Sequence, residues 1–159
     1  MRHYWVDHIT VTEPGRQATA RKAVGWAEDH FADHFPGNPV LPGVYIVEGM
    51  AQAAGALLGR ASDWEDFALM VSVDRARFSS FVRPGEVVEY RIEVEDQVVD
   101  MARVIGVASV GDRRVAQVRL SFQIRPLATM IPEPYRATWI HTLGLLFDKD
   151  LGKEPLPGA

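Results

Sequence analysis

From Gly43 to Leu58 the chain is apolar almost without interruption, and it carries Met50, Ala51, Gln52, Ala53, Ala54, Ala56, Leu57 and Leu58 with no proline. These are helix formers, so the run predicts a helix starting near Gly43. Apolar residues lie on all of its sides, which predicts burial rather than a surface position with one wet face. Glu48 is its only ionisable residue before Arg60. Upstream, Pro36, Pro39 and Pro42 each fix φ and push the preceding residue toward extended backbone, so Phe35 to Leu41 reads as a rigid loop. His3 to Val11 and Gln17 to Trp26 flank the Glu13-Pro14-Gly15 turn with β-branched and aromatic residues, a first hairpin. After the polar break Ser62 to Asp66, four segments read as strands: Phe67 to Val73, Glu86 to Val94, Met101 to Val110 and Arg114 to Ile124. Gly111-Asp112 makes a tight turn between the last two. One helix followed by a run of strands gives an α+β class.

Beyond Ile124, Pro126 to Pro134 reads as a connector. Tyr135 to Phe147 reads as an extra amphipathic helix, with Trp139, Leu143 and Leu146 on one apolar stripe. Asp148 to Ala159, with Pro155 and Pro157, reads as a loose tail.

A length of 159 residues fits one domain, and 47% hydrophobic with 24% charged residues is globular. With no cysteine there is neither a disulfide framework nor a thiol nucleophile. The formal charge of -4 has no compensating basic stripe, which argues against nucleic acid. Met1 to Asp7 holds no apolar run of signal-peptide length and the central helix is too interrupted for a membrane span, so the expectation is a cytoplasmic protein with no membrane association.

Candidate chemistry sits where the Pro-rich loop meets the helix. A carboxylate on a buried helix is costly, so burial would favour protonated Glu48, the form a general acid needs. Its alternative is a head that reaches solvent or a backbone partner. His34, held by the loop, is placed to act as a general base, or else simply satisfies backbone groups in a tight turn. At the mouth of the helix, Gly43 would present an unpaired N–H with the positive end of the helix dipole behind it, a donor suited to a developing oxyanion. His30 and His34, with Asp29 and Asp33 nearby, suggest a metal pair, but no zinc-type motif completes it. No cofactor-binding motif is present either: the sequence has no Gly-rich phosphate loop and no Gly-x-Ser-x-Gly elbow.

His34-Phe35-Pro36-Gly37-x-Pro39-x-x-Pro42-Gly43-Val44, followed by Glu48 and Met50-Ala51-Gln52, resembles the active-site signature of the 3-hydroxyacyl-acyl carrier protein dehydratases of fatty acid synthesis. Val6-Asp7-His8-Ile9 with Glu13-Pro14-Gly15 is similar to the family's opening strand and turn. Val73 to Phe78 with Val82-Arg83-Pro84-Gly85-Glu86 resembles its later strand, so the likeness runs in order from about residue 4 to 124. It implies a hot-dog fold, a long helix wrapped by a curved antiparallel sheet, over residues 1–125, with 126–159 as connector, C-terminal helix and tail on the same domain. It also implies a homodimer, in some relatives a trimer of dimers, whose His and acid come from different subunits.

Carried over, His34 removes the α-proton of a 3-hydroxyacyl thioester on the phosphopantetheine of an acyl carrier protein, and the partner's copy of Glu48 protonates the departing hydroxyl. Gly43 N–H would hold the thioester carbonyl. Gln52, one turn beyond Glu48, would orient the carboxyl. The related dehydratase/isomerase branch has Asp where this chain has Glu48, which favours dehydration without isomerisation. Asp33 stands where relatives commonly have Gly; it either favours the imidazolium form of His34 or points to water. Arg75, Arg77 and Arg83 are candidate contacts for an acidic carrier and its phosphate, or a charged, protected strand edge. The extra helix packs on the sheet by default, seals the acyl tunnel, or meets a partner subunit. Two other classes stay open: a hot-dog thioesterase with a carboxylate-activated water, and a non-catalytic carrier-binding relative.

Overall fold

The computed structural model describes residues 4–147. Six strands form one antiparallel sheet: β1 (His8–Glu13), β2 (Gln17–Ala23), β3 (Asp66–Phe78), β4 (Val87–Val98), β5 (Met101–Val110) and β6 (Arg113–Pro126), in the order β1-β2-β4-β5-β6-β3. The helix α1 (Gly43–Ala61) packs across one face of this sheet, and α2 (Leu127–Met130) and α3 (Glu133–Gly144) follow β6.

Strand β4 alternates strictly, with Val88, Tyr90, Ile92 and Val94 buried toward α1 and Glu89, Arg91 and Glu93 outward. Ala102, Val104 and Ala108 of β5 and Val118, Leu120 and Phe122 of β6 continue the same layer. Small residues on both sides let helix and sheet approach closely. A Cβ on Gly49 would lie 2.5 Å from Tyr90 Oη, and one on Gly106 would lie 2.5 Å from Met50 Sδ. Register shifts between Met70 and Ser72, Val73 and Arg75, and Val94 and Asp96 bend the sheet around the helix.

The helix begins at Gly43 as the sequence predicts, β5 spans the predicted residues, and Gly111-Asp112 joins Val110 to Arg113 with Gly111 at φ +54°. Other features differ: β2 ends at Ala23 instead of Trp26, and β4 runs on from Val94 to Val98. The first hairpin starts at His8, with Tyr4 to Asp7 outside the strand because the Asp7 side chain turns back to accept the Ala23 N–H; His3 lies outside the described residues. Strand β3 runs five residues beyond Val73, through Asp74, Arg75 and Arg77; its pairing with β6 as far as Phe78↔Ala116 supplies the backbone bonds while its charges face out. The segment after Ile124 contains a helical turn, α2, where a plain connector was expected, and α3 starts at Glu133 and stops at Gly144. Finally, α1 is not buried all round: Val44 is 68% exposed, and Glu48, Gln52 and Gly55, on the same stripe, are half-buried. Glu48, Gln52 and Gly55 line a cavity between α1 and the start of β3 instead of packing directly on the sheet.

Candidate active site

The loop carrying His34 closes on itself through short-range bonds. Following a 3-10 turn (Asp29–Ala32), His34 N–H donates to the His30 carbonyl (3.0 Å). Val40 N–H donates to the His34 carbonyl (2.9 Å), and His34 Nδ1 lies 2.8 Å from the Val40 carbonyl. A carbonyl oxygen can only accept, so Nδ1 carries the proton and the neutral ring presents Nε2 as its basic atom. Gly37 sits at the loop tip with φ +74°, a conformation that disfavours any side chain, and Phe35 and Asn38 exchange backbone bonds around it. The His34–Phe35 peptide is cis and the two rings stack at 4.2 Å. Leu41 N–H to the Val82 carbonyl (2.8 Å) and Arg83 Nη1 to Asn38 Oδ1 (2.7 Å) tie the loop to the β3–β4 connection.

Gly43 is the first residue of α1, so its N–H belongs to the turn of donors that have no intrahelical acceptor, and Pro42 supplies no side-chain cap. A Cβ there would come within 2.8 Å of the Phe78 ring, which is why a glycine fits.

The acid is held differently. Gln52 Nε2 donates to Glu48 Oε1 (3.0 Å), and Gln52 Oε1 accepts the Trp5 backbone N–H (2.8 Å). The backbone donor fixes which way the Gln52 amide faces, so its NH₂ must point at the carboxylate. Trp5 is itself clamped by Tyr45 of α1, ring on ring at 3.9 Å. Glu48 and Gln52 line a cavity of ≈ 260 Å³ whose other walls include Tyr4, Phe67, Met70, Phe122, Trp139 and Leu143. His34 and Gly43 are not among its lining residues.

The remaining sequence candidates separate. Asp29 and Asp33 are exposed, whereas the His30 ring packs among Trp5, Phe31 and Tyr45. Burial pulls the His30 pKa below its ordinary value; Glu28, 3.8 Å away, opposes that and the neighbouring His34 reinforces it. Among the described residues no three potential ligands converge on a metal position. Arg75 and Arg77 line a shallow outer-face depression with Arg119, while Arg83 bonds to the His34 loop, so proximity in sequence did not keep the three arginines together. Trp5 and the C-terminal aromatic wall are site elements that the motif does not contain. The Trp5 contribution is a backbone N–H, which no sequence pattern marks.

Residues 4–119 match the FabA-like domain. The chain belongs to the FabA-like dehydratase family. The 3-hydroxyacyl-acyl-carrier-protein dehydratase FabZ of Pediococcus pentosaceus is 38% identical over 119 residues, covering 74% of this chain and 80% of the relative. The FabZ of Symbiobacterium thermophilum is 42% identical over 136 residues, covering 82% and 92%. Among solved structures, the dehydratase heterocomplex ApeI:P of Xenorhabdus doucetiae superposes with a TM-score of 0.59 at 20% identity, over 73% of this chain and 94% of that one. The fluoroacetyl-CoA thioesterase FlK gives 0.61 at 13% identity, over 75% and 92%. These neighbours share the hot-dog fold, with α1 as the wrapped helix. FabA-like family membership covers α1 and most of the sheet; α2 and α3 lie beyond the matched residues.

Proposed function

We propose that this protein dehydrates a 3-hydroxyacyl thioester carried on acyl carrier protein, giving the trans-2-enoyl thioester and water. His34 Nε2 takes the α-proton, the Gly43 N–H stabilises charge developing on the thioester oxygen, and Glu48 gives its proton to the departing 3-hydroxyl. The proton on Nε2 and the vacated carboxylate are then restored through solvent. The observation that carries this reading is the pairing of an imidazole fixed with Nε2 available and a carboxyl oriented by Gln52.

His34 does not line the cavity that holds Glu48, and the reading takes a homodimer in which His34 of one copy faces the acid of the other. Strand β3 supports it: it is a sheet edge thirteen residues long, with Leu69, Val71, Val73 and Phe78 all at least 40% exposed. A long apolar edge of this kind is a template for a second copy. Glu rather than Asp as the acid favours dehydration without double-bond isomerisation. Arg83, bonded to the His34 loop, places a cation where an acidic carrier and its phosphopantetheine phosphate would arrive. Residues 1–125 form the catalytic unit, acting in the cytoplasm, and the described part of the extension, 126–147, packs on it; the tail read over Asp148 to Ala159 lies outside the described residues. Among the described residues no helix is long and apolar enough to cross a membrane.

The test is incubation with a 3-hydroxyacyl-acyl carrier protein and mass analysis of the product, beside His34→Ala and Glu48→Gln. A product lighter by one water, lost in both variants, is the expected result. Release of free acid would assign a thioesterase, and no reaction at any chain length would assign a carrier-binding role.

A further inference from the structure

The cavity that begins at Glu48 and Gln52 is walled by Trp139, Leu143 and Leu146 of the C-terminal extension together with Phe67 to Met70 and Phe122 of the sheet. Along α1, Glu48 and Ala56 both line it, a separation of roughly 12 Å at the helical rise. Trp139 of α3 stands at the remote end: its ring is 5.5 Å from Phe67 at the start of β3 and edge-on at 5.9 Å to Trp64, which follows the C-terminus of α1. Leu143, one turn on, and Leu146 complete that wall. The wall is anchored at both ends. Ile9 N–H donates to the Leu146 carbonyl (2.6 Å), Phe147 forms a parallel bridge with Ile9, and Leu127 N–H donates to the Glu65 carbonyl (2.8 Å). Arg136 Nε, bonded to the Ile131 carbonyl (2.8 Å), fastens α3 to the turn that follows α2. All of α3 lies outside the residues matched to the FabA-like domain.

We propose that α3 is a fixed stopper that sets the length of acyl chain the site accepts, with Trp139 and Leu143 meeting the terminal carbons of the substrate. The proposal rests on the dehydratase reading for the identity of the occupant, and on the continuity of the cavity with Glu48 for its place. An aliphatic tail suits these walls, and a rigid end penalises each surplus methylene by about tenfold or more.

The experiment compares the full chain with Trp139→Ala and Leu143→Trp across a series of 3-hydroxyacyl-acyl carrier proteins of increasing length. Trp139→Ala should raise the ratio of long-chain to short-chain dehydration rates by at least about tenfold, and Leu143→Trp should lower it comparably. Because Leu143→Trp fills rather than empties the wall, the two variants cannot mimic each other through loss of folding. In parallel, calorimetry with non-reacting alkyl pantetheine thioethers of the same lengths reads the binding limit without chemistry. A binding limit that moves in opposite directions in the two variants while no enoyl product forms would leave the stopper standing and sink the dehydratase reading. A limit that is the same in all three proteins would overturn the stopper.

Discussion

The two groups proposed to divide the acid–base work are held by opposite means. The His34 ring is fixed by a bond to Val40, six residues away, and the backbone bonds of His34, Phe35 and Val40 are also local. Glu48 is oriented through Gln52 by the backbone of Trp5, 47 residues from that glutamine. The base is therefore set once the loop forms, whereas the acid is set only when the N-terminal segment has docked on α1. Perturbations of packing should reach the acid first.

The largest effects come from removing the groups themselves. His34→Ala and Glu48→Gln should each lower kcat about 10²–10⁴-fold, and the double variant should be little worse than either single one because the two act in one step. Single-turnover product formation measures this, and fully additive losses would mean that the residues do not share a transition state.

Gln52→Ala comes next. It removes the link between Trp5 and Glu48 without touching the loop, so kcat should fall about tenfold, the loss typical of an orienting partner. On a Glu48→Gln background Gln52→Ala should cost nothing further, because the group it orients is already gone; a further tenfold loss would show that Gln52 acts elsewhere.

Much of this division is legible in the sequence. The proline spacing defines the loop, and the i, i+4 relation of Glu48 and Gln52 follows from helical periodicity once α1 is read correctly. What escapes is long-range or hidden in the backbone. The Trp5 N–H has no side-chain signature. Arg75 and Arg83 part company because β3 extends past its apolar stretch and then turns into a loop. The apolar pattern of α1 also could not say that Val44 is exposed and that Glu48 and Gln52 line a cavity. Residues that line a cavity and residues that fill a core have the same sequence pattern.

His30 offers a smaller test on the loop side. Its carbonyl supports His34, but its ring is buried with its pKa lowered, so the folded state holds fewer protons than the unfolded one just below the ordinary value of 6.5. Stability should then fall as the pH drops from 6.5 toward the folded-state pKa and level off beneath it. Glu28, Asp29 and His34 supply the neighbouring charges, of which the two acids reduce the effect. His30→Phe keeps the carbonyl and the aromatic packing, so thermal unfolding followed against pH should show a shallower slope with kcat unchanged. An unaltered slope would assign the acid sensitivity to other groups.

Arg83→Ala should matter least to turnover. It deletes the exposed bond from Arg83 to Asn38, worth about 0.5–1.5 kcal/mol of loop stability at most, while His34 keeps its bond to Val40. The expected outcome is a kcat within about twofold of the parent with a higher KM for the carrier-bound substrate, the pattern of lost binding common to ground and transition states. The KM change should fade with added salt, because the attraction that steers an acidic carrier is screened within about 10 Å at 0.1 M. If kcat instead fell as far as in Gln52→Ala, the His34 ring would depend on the β3–β4 connection as Glu48 depends on Trp5, and the contrast between a self-contained base and a docked acid would fail.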